Sequence, residues 1–304
     1  MSKLKFVVTG SAGNVSRPLT ELLQERGHDV TIVGRSAERL ASLVERGAKA
    51  AIGDLEDVAF LKETFKGADG VYLMLPPGWT EPDLKKFSIK LAEGFSDAIK
   101  TTGVKNVVFL SSYGAHRPDD AGAISGMGLA ENVLNKLEGV HVLHLRAGYF
   151  YTNLLLSLDL IKKQGVLGNM FEIPAGTFTV VDPSDIAMVA ADALIKQNFT
   201  GHSFKYVVSD ETGTDEIAAL IGKEIGIPGL KWIRFPNEDF KNVLLQYGFN
   251  EGAANDYVEM FTALDKGLLF EDYVAGKHTA AGVSIEVFAR KFAALYENEY
   301  RDRF

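Results

Sequence analysis

Near its amino terminus the chain reads Phe6-Val7-Val8-Thr9-Gly10-Ser11-Ala12-Gly13-Asn14-Val15-Ser16. The apolar residues predict a short buried strand, and the two glycines predict a tight turn that opens directly into a helix. In such a turn, backbone N–H groups and the positive end of the helix dipole converge on one place, which suits an anion. Gly10 permits the turn, Gly13 lets the backbone approach a pyrophosphate, and Ser16 is small enough for close packing of the helix on the strand. Taken alone, the glycines could also serve only the turn.

The alternation of strand, turn and helix recurs through the first half of the chain and predicts a parallel sheet covered on both faces. We therefore predict an α/β fold, a doubly wound and mostly parallel Rossmann sheet with a smaller helix-rich C-terminal domain. The predicted strands cover residues 6–8, 30–33, 49–52, 71–75, 106–110, 141–145, 178–181 and 204–208. The predicted later helices cover residues 183–196, 214–226, 238–247, 253–266 and 284–297.

The ends of the second and third strands carry side chains that suit a dinucleotide. Arg35 and Ser36 stand where a site selective for NAD would carry an acid for the ribose 2′-hydroxyl, and Arg39 follows one helical turn later. A guanidinium suits a 2′-phosphate, although a solvated arginine at a helix start is the alternative. After strand three, Asp54 suits either the adenine amino group or a helix cap, and Asp57 is predicted as the cap. Together these signals predict NADP(H) as the preferred cofactor, with NAD(H) as the alternative.

The predicted cofactor contacts lie at the ends of five strands, where open α/β sheets bind their ligands. Ser111 and Ser112 end strand five beside the expected nicotinamide ribose, unless they form only a strand-end turn. Pro76 and Pro77 are expected to shape the adenosine side of the cleft. The full set is Gly10, Ser11, Ala12, Gly13, Asn14, Val15, Arg35, Ser36, Arg39, Asp54, Leu55, Leu75, Pro76, Pro77, Ser111 and Ser112.

Motifs of one known protein group occur at residues 9–13, 34–36, 53–55, 74–77, 111–115, 145–150, Asn153 and 288–290. Through these motifs the sequence resembles, over nearly its whole length, the NmrA-like group of atypical short-chain dehydrogenases/reductases. The resemblance implies a Rossmann domain that binds NADP(H), with a small C-terminal domain closing a cleft over the nicotinamide end. Members of this group include quinone and isoflavone-type reductases, and also regulators that bind the dinucleotide without turning it over.

The chain departs from this pattern at the residues that would move a proton. The Tyr-x-x-x-Lys pair of short-chain reductases has no match, and the nearest spacing is Tyr113 with Arg117 in a predicted loop. Met127 and Gly128 stand where related chains often carry a basic residue. We therefore leave the catalytic residues unknown, with loop packing as the alternative role for each candidate. The candidate proton donors near the expected cleft are Tyr113, His116, Tyr149 and Tyr151.

The domain organisation follows from the change of pattern after about residue 150. We predict that residues 1–150, with about 176–210, form the dinucleotide-binding Rossmann domain. Residues 151–175 and 211–304 are predicted to form the smaller substrate or cap domain. We expect this domain to close over a small-molecule substrate. An oligomer is compatible with the sequence, which carries no coiled-coil heptad to specify one.

Composition excludes several kinds of site and partner. The 304 residues include 32 Lys plus Arg and 40 Asp plus Glu, a net charge of −8, so neither nucleic acid nor an anionic membrane is a predicted partner. Cysteine is absent and the six histidines form no zinc motif, so we predict no metal site. No stretch approaches the roughly 20 apolar residues of a membrane span, and residues 1–5 show no signal-peptide pattern. We therefore expect a cytoplasmic protein.

Two hypotheses about function follow. The first is an oxidoreductase that transfers hydride from NADPH to a small quinone-like or enone-like acceptor. The second is an NAD(P)-sensing regulatory protein that is catalytically weak or inactive. The missing Tyr-Lys pair favours the second, and the lack of a recognisable interaction motif favours the first. A nucleotide-sugar epimerase is a third reading, but it would rely on the missing pair.

Overall fold

The computed structural model describes residues 3–301, with side chains described as far as residue 298. In this range the strands are β1 (Lys5–Val8), β2 (Asp29–Gly34), β3 (Lys49–Ile52), β4 (Gly70–Leu73), β5 (Asn106–Ser112), β6 (His141–Ala147), β7 (Tyr149–Phe150), β8 (Val166–Asn169), β9 (Phe178–Val181), β10 (His202–Val207), β11 (Asp210–Thr212) and β12 (Lys231–Arg234). The α-helices are α1 (Ser16–Glu25), α2 (Ala37–Glu45), α3 (Val58–Phe65), α4 (Leu84–Thr102), α5 (Ser125–Leu134), α6 (Leu158–Gln164), α7 (Pro183–Lys196), α8 (Thr214–Glu224), α9 (Asn237–Gln246), α10 (Glu251–Asp265), α11 (Glu271–Ala275) and α12 (Ile285–Arg301).

Seven strands form one parallel sheet in the order β10-β6-β5-β4-β1-β2-β3. Helices α1, α2 and α7 pack on one face, and helices α3, α4 and α5 pack on the other. This confirms the predicted doubly wound Rossmann sheet. The strand order reverses between β1 and β4, so a crevice is expected outside the carboxyl ends of these two strands.

Strand β1 shows why this sequence needs cover on both faces of the sheet. Phe6 and Val8 lie in the core beneath α1 and α7, whereas Val7 lies in the core beneath α3 to α5. All three side chains are buried. An unbroken apolar run of this kind is typical of a parallel strand between two helical layers.

A third core lies in the later part of the chain and includes two small sheets that the sequence analysis did not predict. Their strand orders are β11-β9-β7 and β12-β8. The pairing of β8 with β12 joins residues more than 60 positions apart in strands of four residues, too short for a clear periodicity. The expectation of a mostly helical segment after residue 211 therefore missed β11 and β12.

The predicted strands 178–181 and 204–208 have different places in the fold. Strand β10 extends the central sheet beside β6, whereas β9 pairs with β7 and β11 in the small three-stranded sheet. The division into two domains stays a prediction, and its ends at residues 1–2 and 302–304 lie outside the described residues.

Residues 3–301 contain neither a candidate membrane-spanning helix nor a candidate metal-binding cluster. None of the helices in this range is both long enough and apolar enough to cross a bilayer. The same residues contain no group of three or more His, Asp or Glu side chains placed to hold a metal ion.

Candidate functional site

The glycine-rich loop after β1 has the geometry of a phosphate cradle. Gly10 has a φ of +99°, and a Cβ atom there would overlap the Ser16 hydroxyl and the side chain of Met74. A Cβ atom on Gly13 would lie 3.0 Å from the Gly10 carbonyl oxygen. The buried Ser16 hydroxyl donates to the Thr9 carbonyl at 2.7 Å and so holds the start of α1 on the end of β1. This turn therefore requires glycine at position 10, and a side chain at position 13 would crowd the Gly10 carbonyl oxygen.

Several backbone donors in the loop have no partner inside the described chain. The N–H of Ser11 is taken, because it donates to the Val33 carbonyl at 2.8 Å. The N–H groups of Ala12, Asn14 and Val15 make no hydrogen bond with any residue in the 3–301 range. They lie at the positive end of α1, where oriented donors and the helix dipole favour an anion.

Beside the loop, one arginine directly after β2 and another in the first turn of α2 have no acid partner among the described residues. Ser36 caps α2 by accepting a hydrogen bond from the backbone N–H of Arg39 at 3.4 Å. The exposed guanidinium groups of Arg35 and Arg39 make no hydrogen bond or ion pair with the described residues. Free guanidinium groups in this position are available to a phosphate.

An open groove of about 710 Å³ lies between α1 and α2, and two of its residues were missed by the sequence analysis. Arg17 and Ser42 line it together with Ala12 and Arg39. The Arg17 Nη1 atom donates to the Ser42 hydroxyl at 2.9 Å. No motif marks these two residues, because they meet only when α1 and α2 pack side by side.

The loop after β3 contains one confirmed cap. Asp57 accepts a hydrogen bond from the N–H of Phe60 at 3.0 Å and caps α3, as predicted. Asp54 accepts from the N–H of Glu56 at 3.0 Å, so one of its carboxylate oxygens shapes the turn. The neighbouring Leu55 is half-buried.

The loop after β4 is tied to the end of β1. The N–H of Met74 donates to the Thr9 hydroxyl at 2.9 Å, and this bond takes Met74 out of the strand ladder. Leu75 is buried in the core beneath α3 to α5. Pro76 is half-buried and Pro77 is exposed. The two prolines therefore form part of the surface at the carboxyl end of β4.

The two serines at the end of β5 have different surroundings. Ser111 is buried, and its hydroxyl donates to Glu131 Oε1 at 2.5 Å. Glu131 also accepts from Arg146 Nε at 3.1 Å and Nη2 at 2.7 Å, and both charged side chains are buried. The half-buried Ser112 makes no side-chain hydrogen bond with the described residues. Its hydroxyl is therefore the one left available to a ligand.

Tyr149 and Tyr151, two of the candidate proton donors, lie in the later core together with Tyr113. Tyr151 donates to the Val283 carbonyl at 2.9 Å and stacks on Phe288. Tyr149 is buried and packs against Phe171 at a ring distance of 5.7 Å. Burial raises the pKa of both tyrosines well above the ordinary value.

The other two candidates share the loop after β5. Tyr113 is buried and stacks on Phe270, and burial raises the pKa of its hydroxyl. Both ring nitrogens of His116 are buried and have no hydrogen-bond partner among the described residues. Burial lowers the pKa of His116, and the attraction of Asp272 opposes that effect only in part. Burial therefore favours the neutral form of the His116 imidazole.

Comparison with known proteins identifies the family of the chain. The profile of the NmrA-like family matches residues 2–303. The chain belongs to the NmrA-like family. An NAD(P)H azoreductase of Xenophilus azovorans is 28% identical over 274 residues, which is 89% of each protein.

Two solved structures of similar fold widen the comparison. The NADPH-dependent quinone oxidoreductase of Escherichia coli, solved with NADPH, has a TM-score of 0.75 and 18% identity over 97% of this chain and 99% of that one. The negative transcriptional regulator NmrA, solved with NADP, has a TM-score of 0.72 and 13% identity over 100% and 98%. At these identities the likeness shows the fold of this NmrA-like chain.

Proposed function

We propose that this NmrA-like chain is an NADPH-dependent oxidoreductase that transfers hydride to a small quinone-like or enone-like acceptor. The observation that carries the proposal is the pair of unneutralised guanidinium groups, Arg35 and Arg39, beside a glycine loop with free N–H donors. In a chain of net charge −8, two arginines without acid partners at one strand end indicate a local site for an anion. The azoreductase relative, aligned over 89% of this chain, supports a reductase.

The residues present fit a dinucleotide that carries a 2′-phosphate. Any side chain on Gly10 or Gly13 would fill the space that the turn keeps clear. The N–H groups of Ala12, Asn14 and Val15 would hold the pyrophosphate at the start of α1. Arg35 and Arg39 would hold the 2′-phosphate, and Ser112 would bind the nicotinamide ribose. Bound NADPH would supply the hydride.

The surroundings of the candidate acids indicate the kind of acceptor. The raised pKa of Tyr113 makes its hydroxyl a weak acid, and the lowered pKa of His116 leaves little of its protonated form to donate a proton at neutral pH. An acceptor that is already electrophilic, such as a quinone, needs no strong acid from the protein. Its reduced product takes a proton from water. The chain therefore fits activated acceptors better than simple ketones, for which the Tyr-Lys pair serves.

A sensor is the second candidate function, and the missing Tyr-Lys pair is the observation that favours it. The regulator NmrA, solved with NADP, shares the fold. A sensor would bind NADPH or NADP and transfer no hydride.

Cofactor titration followed by turnover assays separates the two functions. NADPH and NADH are titrated by fluorescence, and NADPH absorbance is then followed with quinones, enones and azo compounds in flavin-free buffer. The expected result is tight NADPH binding with acceptor-dependent oxidation. Tight binding without turnover on any acceptor would support the sensor, and no binding of either cofactor would contradict both.

A further inference from the structure

We infer that Arg17 and Ser42 complete the site for the ribose 2′-phosphate, so that the groove between α1 and α2 binds a phosphomonoester dianion. The inference rests on the proposed dinucleotide site and extends it to two residues on neighbouring helices. Cofactor selectivity would then depend on both walls of the groove as well as on the end of β2.

The position of the groove connects it to the glycine-rich loop. Ala12, whose backbone N–H is free, lines the groove beside Arg17 of α1. Arg39 and Ser42 line it from α2. A dinucleotide with its pyrophosphate at Ala12 and its adenosine toward Arg35 would therefore place the 2′-oxygen at the mouth of this groove.

The guanidinium of Arg17 is held in place but not neutralised. Its Nη1 atom donates to the Ser42 hydroxyl at 2.9 Å, which fixes the group across the gap between the helices. Its Nε and Nη2 atoms make no hydrogen bond within the described part of the chain. Two other arginines show the usual surface arrangement, because Arg26 pairs with Asp192 at 2.6 Å and Arg46 pairs with Glu25 at 3.0 Å.

Ser42 adds a second kind of donor to the groove. Its oxygen accepts from Arg17, and its own O–H has no acceptor among the described residues. A hydroxyl beside two guanidinium groups can donate to a third oxygen of a phosphate. Planar guanidinium groups bind phosphate with two parallel hydrogen bonds each, so Arg17 and Arg39 suit this ligand from opposite sides.

The acids of the groove explain why one arginine would be insufficient. Glu38 and Glu45 also line the groove, and neither makes an ion pair with Arg17 or Arg39. Their charges would repel a phosphate dianion unless several cations face it. With Arg17, Arg35 and Arg39 together, the positive charges at this end of the site outnumber the negative ones. A cofactor without the 2′-phosphate gains nothing from this excess.

The test compares binding of paired ligands rather than activity. In Arg17→Gln, the dissociation constant of NADPH is expected to rise about tenfold to a hundredfold, the worth of a charged hydrogen bond. The dissociation constant of NADH is expected to change by less than about twofold, since NADH lacks the 2′-phosphate that Arg17 would bind. Calorimetric titration should show the same difference for two smaller ligands. Arg17→Gln should weaken the binding of adenosine 2′,5′-bisphosphate and leave the binding of 5′-AMP nearly unchanged. Arg26→Gln at the far end of α1 is the matched control and should bind every ligand as the unmodified chain does.

The possible failures are distinguishable. If the unmodified chain binds neither NADPH nor NADH, the proposed function itself fails. If it binds NADPH and Arg17→Gln binds both cofactors normally, or loses both equally, the inference about the groove is overturned and the proposed function stands. Ser42→Ala removes only a hydroxyl and serves if Arg17→Gln does not fold. Ser42→Ala should raise the dissociation constant of NADPH several-fold and leave that of NADH unchanged. Equal effects on the two dissociation constants would overturn the inference.

Discussion

Gly13 shows how a single residue sets the shape of the site. Its backbone lies so close to the Gly10 carbonyl that an added Cβ atom would be 3.0 Å from that oxygen. We expect Gly13→Val to push the loop away from the start of α1 and to abolish binding of NADPH and NADH alike. Fluorescence titration of both cofactors measures the effect. Retained affinity would mean that this loop does not carry the pyrophosphate.

Arg35, which directly follows β2, is the residue that we expect to favour NADPH over NADH. Because its guanidinium has no partner in the described chain, its removal should cost little stability. We expect Arg35→Ala to weaken the binding of NADPH by about 1.5–3 kcal/mol, the usual contribution of a charged hydrogen bond. The binding of NADH should remain nearly unchanged. Equal losses of binding free energy for NADPH and NADH would mean that Arg35 does not bind the 2′-phosphate.

Single residues also show what the sequence could and could not predict. The cap at Asp57 was predictable, because an aspartate just before a helical pattern bonds to an N–H three residues later. The bond between Ser111 and Glu131 was not, because 20 residues separate them in the chain. Arg17 meets Ser42 over a similar separation, across two helices. Such contacts depend on how the helices pack, which local patterns do not specify.

Helix α7 is one of the elements whose boundaries the sequence predicted fully, together with β3 and β9. Pro183 at its first turn and Asp182 before it are strong start signals. Strand β4, in contrast, was predicted to run to residue 75 but ends at Leu73, because the next N–H turns to the Thr9 hydroxyl. An apolar sequence alone does not show where a strand leaves its ladder.

The cap of α7 also gives the protein a pH-dependent contribution to stability. Asp182 accepts from the Ser184 N–H at 2.9 Å and from Lys291 Nζ at 3.1 Å. Burial alone would raise the pKa of Asp182, but the hydrogen bonds from Ser184 and Lys291 outweigh it and hold the pKa below the ordinary value. The carboxylate therefore stabilises the fold above the ordinary aspartate pKa, and this contribution is lost as the pH falls through the folded-state value.

We expect Asp182→Ala to lower the free energy of unfolding by about 0.5–2 kcal/mol at pH 7, the usual cost of losing such a cap. Asp182→Asn keeps the capping geometry and should lose less. Urea unfolding at a series of pH values measures both. The difference between the unmodified chain and Asp182→Asn should shrink as the medium becomes acidic, and a difference independent of pH would contradict the assignment.

At the scale of the whole molecule, a buried ion network joins the central sheet to the later part of the chain. Arg146 of β6 binds Glu131 of α5 with two hydrogen bonds and Asp272 of α11 at 3.0 Å. Arg117 also reaches α11, through Glu271 at 2.8 Å, but Glu271 is half exposed. The Arg146–Glu131 pair is buried, whereas Asp272 is 37% exposed and Glu271 is 51% exposed, so removing Arg146 and removing Arg117 should have different costs.

We expect Arg146→Leu to destabilise the protein by about 3–5 kcal/mol, because Glu131 would remain as a buried charge without its partner. Arg117→Leu should cost no more than about 1 kcal/mol, as for other exposed ion pairs. The free energy of unfolding in urea measures both. Equal costs for the two variants would mean that Arg146→Leu does not leave Glu131 as an unpaired buried charge.

The overall architecture was more predictable than these connections. The rhythm of strands and helices over the first 150 residues gave the central parallel sheet, because each βαβ unit is local in the chain. The small sheets β11-β9-β7 and β12-β8 came from pairings between distant short segments, which no local rhythm shows. The net charge of −8 likewise gives no indication that Arg17, Arg35 and Arg39 lie close together at one edge of the sheet.

The central claim is that this chain moves a hydride from NADPH to an acceptor, and isotope transfer tests it most directly. NADPH carrying deuterium at C4 on one face or the other is oxidised with a quinone or enone acceptor in flavin-free buffer. A fixed site predicts a primary isotope effect, and a deuterated enone product, from one of the two labelled cofactors only. NADPH binding without an isotope effect or label transfer from either face, on every acceptor tried, would contradict the claim.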